Sequence, residues 1–212
     1  MSESLTIDQV VAILTKVAED LEGARDRLNE LDGAIGDGDH GISVARGFRA
    51  LQEGLAKHPP DIGRTLAEAG LQFNEGAGAT VGALLGTAFM RAGKEVRGQS
   101  EISLADVVRM AKAAGQGVQE RGKAEPGHKT MLDAIVPATE ALEKAAAAGA
   151  SLEEAVDQAV AAAEGGVEAT KDMLPGYGRA RWLGERTLGH QDAGATTVYL
   201  MLKSVAERLY RA

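Results

Sequence analysis

"TIDQVVAILTKVAEDLEGARDRLNEL", residues 6–31, decides the fold class. Ile7, Val10, Val11, Leu14, Val17, Ala18, Leu21, Leu28 and Leu31 recur at the spacing of one helix face, and Thr6 stands where an N-cap belongs. The spacing predicts one long helix over 6–31. The next stretch, "LDGAIGDGDHG" (31–41), sets glycine against aspartate and interrupts it.

The same alternation continues along the chain. Residues 42–57 resume helix, and "HPPDIG" (58–63) marks a boundary with Asp61 as a cap. A helix over 61–73 carries Ile62, Leu66, Ala69 and Leu71. "NEGAGATVGALLGTAFMRAG" (74–93) reads as a loop in its first half and a helix with a close-packed small-residue surface in its second. Ser103 begins a helix that buries Leu104, Val107, Val108, Met110 and Ala111. "GKAEPGHKT" (122–130) is a loop, and Met131–Ala147 a helix that Pro137 is expected to kink. Ser151 with Glu154 forms a capping box for the next helix. "LPGYGRARWLGERTLGHQDAG" (174–194) is a long loop with five glycines, and 195–211 closes the chain as helix. The expectation is an all-α fold of eight helices without strands, repeats or linkers. Its glycine-rich connections would gather at one end of a bundle.

A chain of 212 residues makes one domain over 1–212 the default. Aromatic residues are only 3%, which favours packed helices over a β-sandwich. The net charge of −8 argues against a nucleic-acid partner, yet leaves room for a nucleotide whose charge a metal offsets. Without cysteine there is neither a disulfide framework nor a thiolate zinc site. "MSESLTIDQV" lacks the pattern of a signal peptide, and no apolar run approaches the ~18 residues of a membrane span. The expected setting is soluble and cytoplasmic, away from membranes.

Asp32, Asp37 and Asp39 place three carboxylates within eight residues. They repel one another unless a cation lies among them, and the glycines between them permit the positive φ and close backbone approach of a tight acidic loop. Hard oxygen donors favour magnesium or calcium over zinc, and the spacing is not that of an EF-hand. A solvated Asp-Gly turn is the plain alternative. "GAGATVG" (76–82) offers backbone N–H groups at a helix start, although it lacks the Gly-Lys-Ser/Thr ending of a P-loop; close helix packing explains it equally well. Arg179, Arg181, Arg186, His190 and Asp192 share one loop, where surface charge is the ordinary explanation.

"LDGAIGDGDHG" (31–41), "RGKAEPGHKTMLDAIVPA" (121–138) and "GRARWLGERTLGHQDAGAT" (178–196) occur in an order and at a spacing that resemble the nucleotide-binding L subunit of dihydroxyacetone kinase. The resemblance implies an antiparallel barrel of eight amphipathic helices with the nucleotide in the loops at one end. Asp32, Asp37 and Asp39 would hold two magnesium ions against the phosphates of ADP or ATP. His40, Gly41 and Ser43 would lie beside those phosphates, and Gly78, Thr80 and Val81 would form the phosphate loop. Gly122, Thr130 and Met131 would line the adenosine, and Arg179, Asp192 and Gly194 would close the site.

The resemblance further implies that the ketose, dihydroxyacetone or a related short sugar, is held on a histidine of a separate K subunit. His40 and His190 are then not nucleophiles, and the chain itself supplies no certain catalytic residue. A phosphotransferase-system M subunit, a transcriptional regulator and a second copy of the chain in a homodimer are the other implied partners.

The chain departs from the family pattern at several positions. Ser43 replaces asparagine, Val81 serine, His128 aspartate and Ala193 proline, and Arg181 and Trp182 replace smaller or less basic residues. A non-catalytic, nucleotide-sensing regulator is the alternative reading of the same features.

Overall fold

The structure is a computed structural model and describes residues 4–210; residue 211, where the last expected helix ends, lies outside them. Strand β1 (Ser4–Thr6) leads into α1 (Ile7–Gly23), α2 (Arg25–Ile35), α3 (His40–Leu55), α4 (Ile62–Ala77) and α5 (Ala79–Glu95). Strand β2 (Glu101–Ser103) leads into α6 (Leu104–Gly122), α7 (Leu132–Ala147), α8 (Leu152–Ala169) and α9 (Ala193–Leu209). Two 3-10 segments, Thr170–Asp172 and Arg179–Thr187, lie between α8 and α9.

The fold is all-α, as the periodicity indicates. Eight helices close a ring in which each packs on the next: α1, α3, α4, α5, α6, α7, α8, α9 and back to α1. The remaining helix, α2, packs on α3, α9 and the 179–187 segment. One apolar cluster runs through the ring from Leu5 to Leu209.

The single helix expected over 6–31 is two helices. Between Leu21 and Leu28 the sequence supplies only Ala24 as an apolar anchor, so no packing holds a straight rod across Gly23 and Ala24. Ala24 (φ −85, ψ 0) ends α1, its N–H donating to the carbonyls of Asp20 and Glu22. Helix α2 continues to Ile35, so that Asp32 is a helical residue.

Strands, which the sequence reading excludes, occur as one three-residue ribbon. Leu5 pairs with Ile102 in antiparallel register, and both side chains are buried. Three residues are too few to show an alternating pattern.

The loop expected in the first half of 74–93 shrinks to Gly78, at φ +59 between α4 and α5. The small residues here pack helices together. A Cβ on Gly63 would stand 2.5 Å from the Gly93 carbonyl and one on Gly93 2.5 Å from the Gly63 carbonyl. Gly70 and Gly86 approach each other in the same reciprocal way, at 2.7 and 2.8 Å.

Helix α7 runs unbroken through Pro137. The proline has no N–H to offer the Asp133 carbonyl, which instead lies directly against α8 at Gly166, where no Cβ could be accommodated. Elsewhere the core is built by economy of volume. The three phenylalanines cluster between α3, α4 and α5, with Phe48 and Phe73 edge-to-face at 4.9 Å. Fully buried Ala134, Ala155, Ala159, Ala163 and Ala195 bring α7, α8 and α9 close.

Candidate functional site

The antiparallel ring sorts its connections into two sets. Those between α2 and α3, α4 and α5, α6 and α7, and α8 and α9 converge on a cavity of about 390 Å³, within the usual range of small-molecule sites of about 300–1,000 Å³. The connections α3–α4, α5–α6 and α7–α8 lie at the distal end, with the β1–β2 ribbon.

Helix capping follows the same division. The helices α1, α4, α6 and α8 start at the distal end, and each has a side-chain N-cap: Thr6, Asp61, Ser103 and Ser151. The helices α3, α5 and α7 start at the cavity without a side-chain cap from their N-cap residue. Of the cavity-end starts in the ring, α9 is capped by its own N-cap residue, Asp192; at α3 the Ile42 N–H donates instead to Asn29 Oδ1 at 3.0 Å, and at α7 the Leu132 N–H to Thr130 Oγ1 at 3.3 Å. The first-turn amides of α5, at Ala79, Thr80 and Val81, therefore face the cavity without the acceptor that a cap provides, and carry the partial positive charge of the helix end.

Carboxylates lie beside these amides. One oxygen each from Asp32, Asp37 and Asp39 falls within 4.8 Å of the others. Helix α2 delivers Asp32, and the four-residue connection to α3 delivers the other two. Asp32 Oδ2 accepts from the Gly38 N–H at 2.8 Å and the Asp39 N–H at 3.1 Å, which folds the connection back over its own helix. The fold-back needs glycine: a Cβ on Gly36 would stand 2.6 Å from Asp32 Oδ1, and Gly38 takes φ +77. Arg179, from the 179–187 segment, pairs with Asp37. The donor set suits a hard divalent cation, because three clustered carboxylates share one arginine.

The apolar lining comes from elsewhere: Leu84 of α5, Val118 of α6, and Ala124, Met131 and Leu132 around the start of α7. Tyr177 stands at the rim, its ring 5.5 Å from that of His128.

Under the cavity lies a polar layer. Asp133 accepts from the Gly127 N–H and, at 2.7 Å, from the Thr130 N–H, which shapes the loop before α7. Lys129, at φ +54 and only 3% exposed, donates to the carbonyls of Thr170 and Thr187 at 2.8 Å and of Met173 at 3.4 Å. Burial lowers its pKa, partly opposed by Asp192 and Asp172. Desolvation pushes the Asp192 carboxyl up to about 7; the Ala195 N–H and Lys129 pull it down, while Asp133 and Asp32 add to the rise. His40 is held neutral by burial, against the pull of Asp32. Its Nε2 lies 2.9 Å from Thr197 Oγ1, whose own proton goes to the Ala193 carbonyl, so the imidazole donates at Nε2.

Of the residues singled out from sequence, Asp32, Asp37, Asp39, His40, Ser43, Thr80, Val81, Gly122, Thr130, Met131, Arg179, Asp192 and Gly194 all line this cavity. Gly41 and Gly78 do not. Gly41 is pressed against the Arg25 carbonyl, where α3 crosses α2, and Gly78 supplies the left-handed turn between α4 and α5. Sequence reasoning missed Lys129 as a buried group, because nothing in "GHKTM" distinguishes a buried lysine from a surface one. It also missed Leu84 and Val118, whose helical spacing reads as ordinary core.

The DAK2 domain family matches residues 34–207. The ADP-binding subunit DhaL of the PEP-dependent dihydroxyacetone kinase of Escherichia coli (strain K12) is 38% identical over 204 residues, covering 96% of this chain and 97% of that protein. The corresponding subunit of PEP-dependent dihydroxyacetone kinase 2 of Listeria innocua is 36% identical over 195 residues, covering 91% of this chain and 90% of that one. Among solved structures, the dihydroxyacetone kinase of C. freundii in complex with AMP-PNP and Mg2+ superposes with a TM-score of 0.73 at 25% identity over 98% of this chain. The chain spans 35% of the length of that kinase.

Proposed function

The chain belongs to the DAK2 family, and on that footing we propose that it is the magnesium–nucleotide subunit of a dihydroxyacetone-type ketose kinase. One observation carries this reading: a three-carboxylate cluster and the uncapped N-terminus of α5 open into the same cavity. A carboxylate cluster alone repels phosphate, and helix ends alone hold it only weakly. Together they fit a nucleotide whose phosphates would lie against the amides of α5, with metal held by the carboxylates beside them.

In this reading Asp32, Asp37 and Asp39 hold two magnesium ions, which when bound offset the charge between carboxylates and phosphates and stabilise the charge of phosphoryl transfer. Thr80 and Ser43 offer hydroxyls to the phosphates, while Val81 offers none. Leu84, Val118, Gly122, Ala124 and Met131 enclose the adenosine in an apolar slot. Arg179 brings a cation over the open side and Asp192 closes the floor. His40, neutral and tied to Thr197, orients the start of α3 and attacks nothing. The phosphoryl group passes to a hydroxyl of dihydroxyacetone, or a related short ketose, held on a separate K subunit.

ADP retained as a cofactor and recharged by a phosphotransferase-system M subunit is the mode suggested by the PEP-dependent relatives; direct use of ATP is the other. A cytoplasmic setting fits: among the described residues no helix is long and apolar enough to cross a membrane. We extend the proposal to one functional unit over 1–212, a homodimer in solution and contact with a transcriptional regulator.

Calorimetric titration of nucleotide-stripped protein with ADP and ATP, each with and without magnesium, tests the core of the reading. Magnesium-dependent binding supports it, and a strong preference for ADP points to the recharged-cofactor mode. No binding of either nucleotide overturns it. Binding without phosphotransfer to any ketose, even with the cognate K subunit, favours a nucleotide-sensing regulator.

A further inference from the structure

The ammonium of Lys129 lies among backbone carbonyls. Its three donors meet three acceptors, the carbonyls of Thr170, Met173 and Thr187. Among the described residues no carboxylate forms an ion pair with it. Two of these carbonyls belong to the turn that follows α8, and the third is that of the last residue of the 179–187 segment. The cation therefore stands where two helical segments end, which is where the negative ends of the helix dipoles favour it. A buried ammonium is costly to desolvate, and what it holds in return is irregular backbone; the Thr170 and Thr187 carbonyls also accept from the Met173 and His190 N–H groups, at 3.2 and 3.3 Å, so the ammonium takes their second acceptor position.

The segment so held carries Tyr177, Gly178 and Arg179 to the cavity, and Arg179 sits between two of the clamped carbonyls in sequence. Other ties exist. The Gly176 N–H donates to the His128 carbonyl at 3.0 Å, the Gly189 N–H to that of Lys171 at 2.9 Å, and the Asp192 N–H to Thr170 Oγ1 at 3.0 Å. The first ties the start of the segment to the loop before α7, and the other two join its two ends to each other. Lys129 adds to them by tying carbonyls at both ends to one point, and that point belongs to the loop whose next residues, Thr130 and Met131, line the cavity.

We infer that Lys129 is a positioning residue of the nucleotide site: its ammonium fixes the 173–187 segment over the cavity, and it contributes to nucleotide binding through Arg179. The inference rests on the nucleotide reading above for its binding arm and on the clamp geometry alone for its exchange arm.

The test compares wild type, Lys129→Met, Arg179→Ala and the double variant, with Val156→Ala in the α8 core as a control for simple destabilisation. Amide hydrogen exchange without nucleotide is expected to rise at least tenfold across 176–188 in Lys129→Met and to stay at the wild-type level there in Val156→Ala. Magnesium–ADP affinity is expected to fall about tenfold in each single variant and less than threefold further in the double. Val156→Ala should bind as wild type does.

Unchanged exchange in Lys129→Met, or losses that multiply in the double variant, would overturn the inference. Wild type failing to bind nucleotide would sink the functional reading, while the exchange arm still reads the clamp. If Lys129→Met does not fold, Lys129→Gln, which keeps two donors, takes its place. A chain that folds with neither variant would show that Lys129 holds the whole fold, and the positioning role falls.

Discussion

Arg179 and Asp37, far apart in sequence, form an ion pair at the mouth of the cavity, between the last long connection and the aspartate loop. Arg179 thus occupies a carboxylate that belongs to the cluster suited to a divalent cation. Arginine and metal compete for Asp37 when no nucleotide is bound, whereas with nucleotide the two cations act together on the phosphates. The pair is exposed on both sides, and such pairs contribute about 0–1 kcal/mol. Arg179→Ala is therefore expected to strengthen binding of magnesium alone by up to about fivefold while weakening magnesium–ADP. Calorimetry with the metal alone and with metal plus nucleotide checks both signs; a parallel change in the two would contradict the competition.

Asp32 has two duties that substitution can separate. It holds the Gly38 and Asp39 amides, and it contributes an oxygen to the cluster. Asparagine keeps an acceptor for the amides but loses the charge; alanine loses both. Magnesium-dependent nucleotide binding should vanish in Asp32→Asn and Asp32→Ala alike. Only Asp32→Ala should be clearly destabilised without ligand, by about 1–3 kcal/mol for the unpaired amides. Thermal melts of the two ligand-free variants distinguish the duties.

The Asp192 carboxyl, at about 7 in the folded chain against an ordinary 3.8, makes ligand-free stability depend on pH. Below 3.8 both folded and unfolded chains are protonated there. Between 3.8 and about 7 the folded chain keeps a proton that the unfolded chain has released, so stability falls as pH rises, and the loss is complete above about 7. His40, with a lowered pKa, acts in the opposite direction as pH falls; comparison with Asp192→Asn cancels it. Asparagine also preserves the N-cap of α9. A pKa unit is worth about 1.4 kcal/mol, and about 1 kcal/mol moves the melting temperature of a chain this size by about 2–4 °C. Asp192→Asn should therefore gain several degrees over wild type between pH 5 and pH 8. Differential scanning fluorimetry without metal reads it, and a constant gap would contradict the shift.

Glycines of the same type carry opposite predictions. Gly63→Ala and Gly93→Ala drive a methyl into an opposing backbone carbonyl, which cannot yield as a side chain does, and should cost at least about 1–3 kcal/mol. Gly165, within α8, has nothing near its missing Cβ, so Gly165→Ala should stabilise by about 0.5–1 kcal/mol. Urea denaturation of the three variants settles the contrast.

What the sequence disclosed and withheld follows from the range of each interaction. Helix periodicity and the Thr6, Asp61, Ser103 and Ser151 caps are local, and each was legible. The break at Ala24 was not, because it reflects missing long-range packing rather than a breaker residue. Glycines at 74–93 read as loop because Gly-to-carbonyl contact between helices and glycine in a turn look alike along the chain. The acidic loop was legible as chemistry. The role of Lys129 was hidden because its acceptors are backbone carbonyls more than forty positions away, and carbonyls carry no sequence signal.

Both ends of the described chain leave from the side away from the cavity. Ser4 begins in the ribbon beside the start of α6, a helix of 19 residues and so about 28 Å long, whose far end lines the cavity. Tyr210 follows α9, which starts at the cavity and runs 17 residues outward. A second polypeptide can thus be tethered to either terminus without crossing the mouth of the site. The C. freundii kinase, about three times as long, contains the same fold. For such an arrangement fusion changes the effective concentration of the joined part and leaves the pocket chemistry untouched, so the separate and the fused form differ in how the two parts meet.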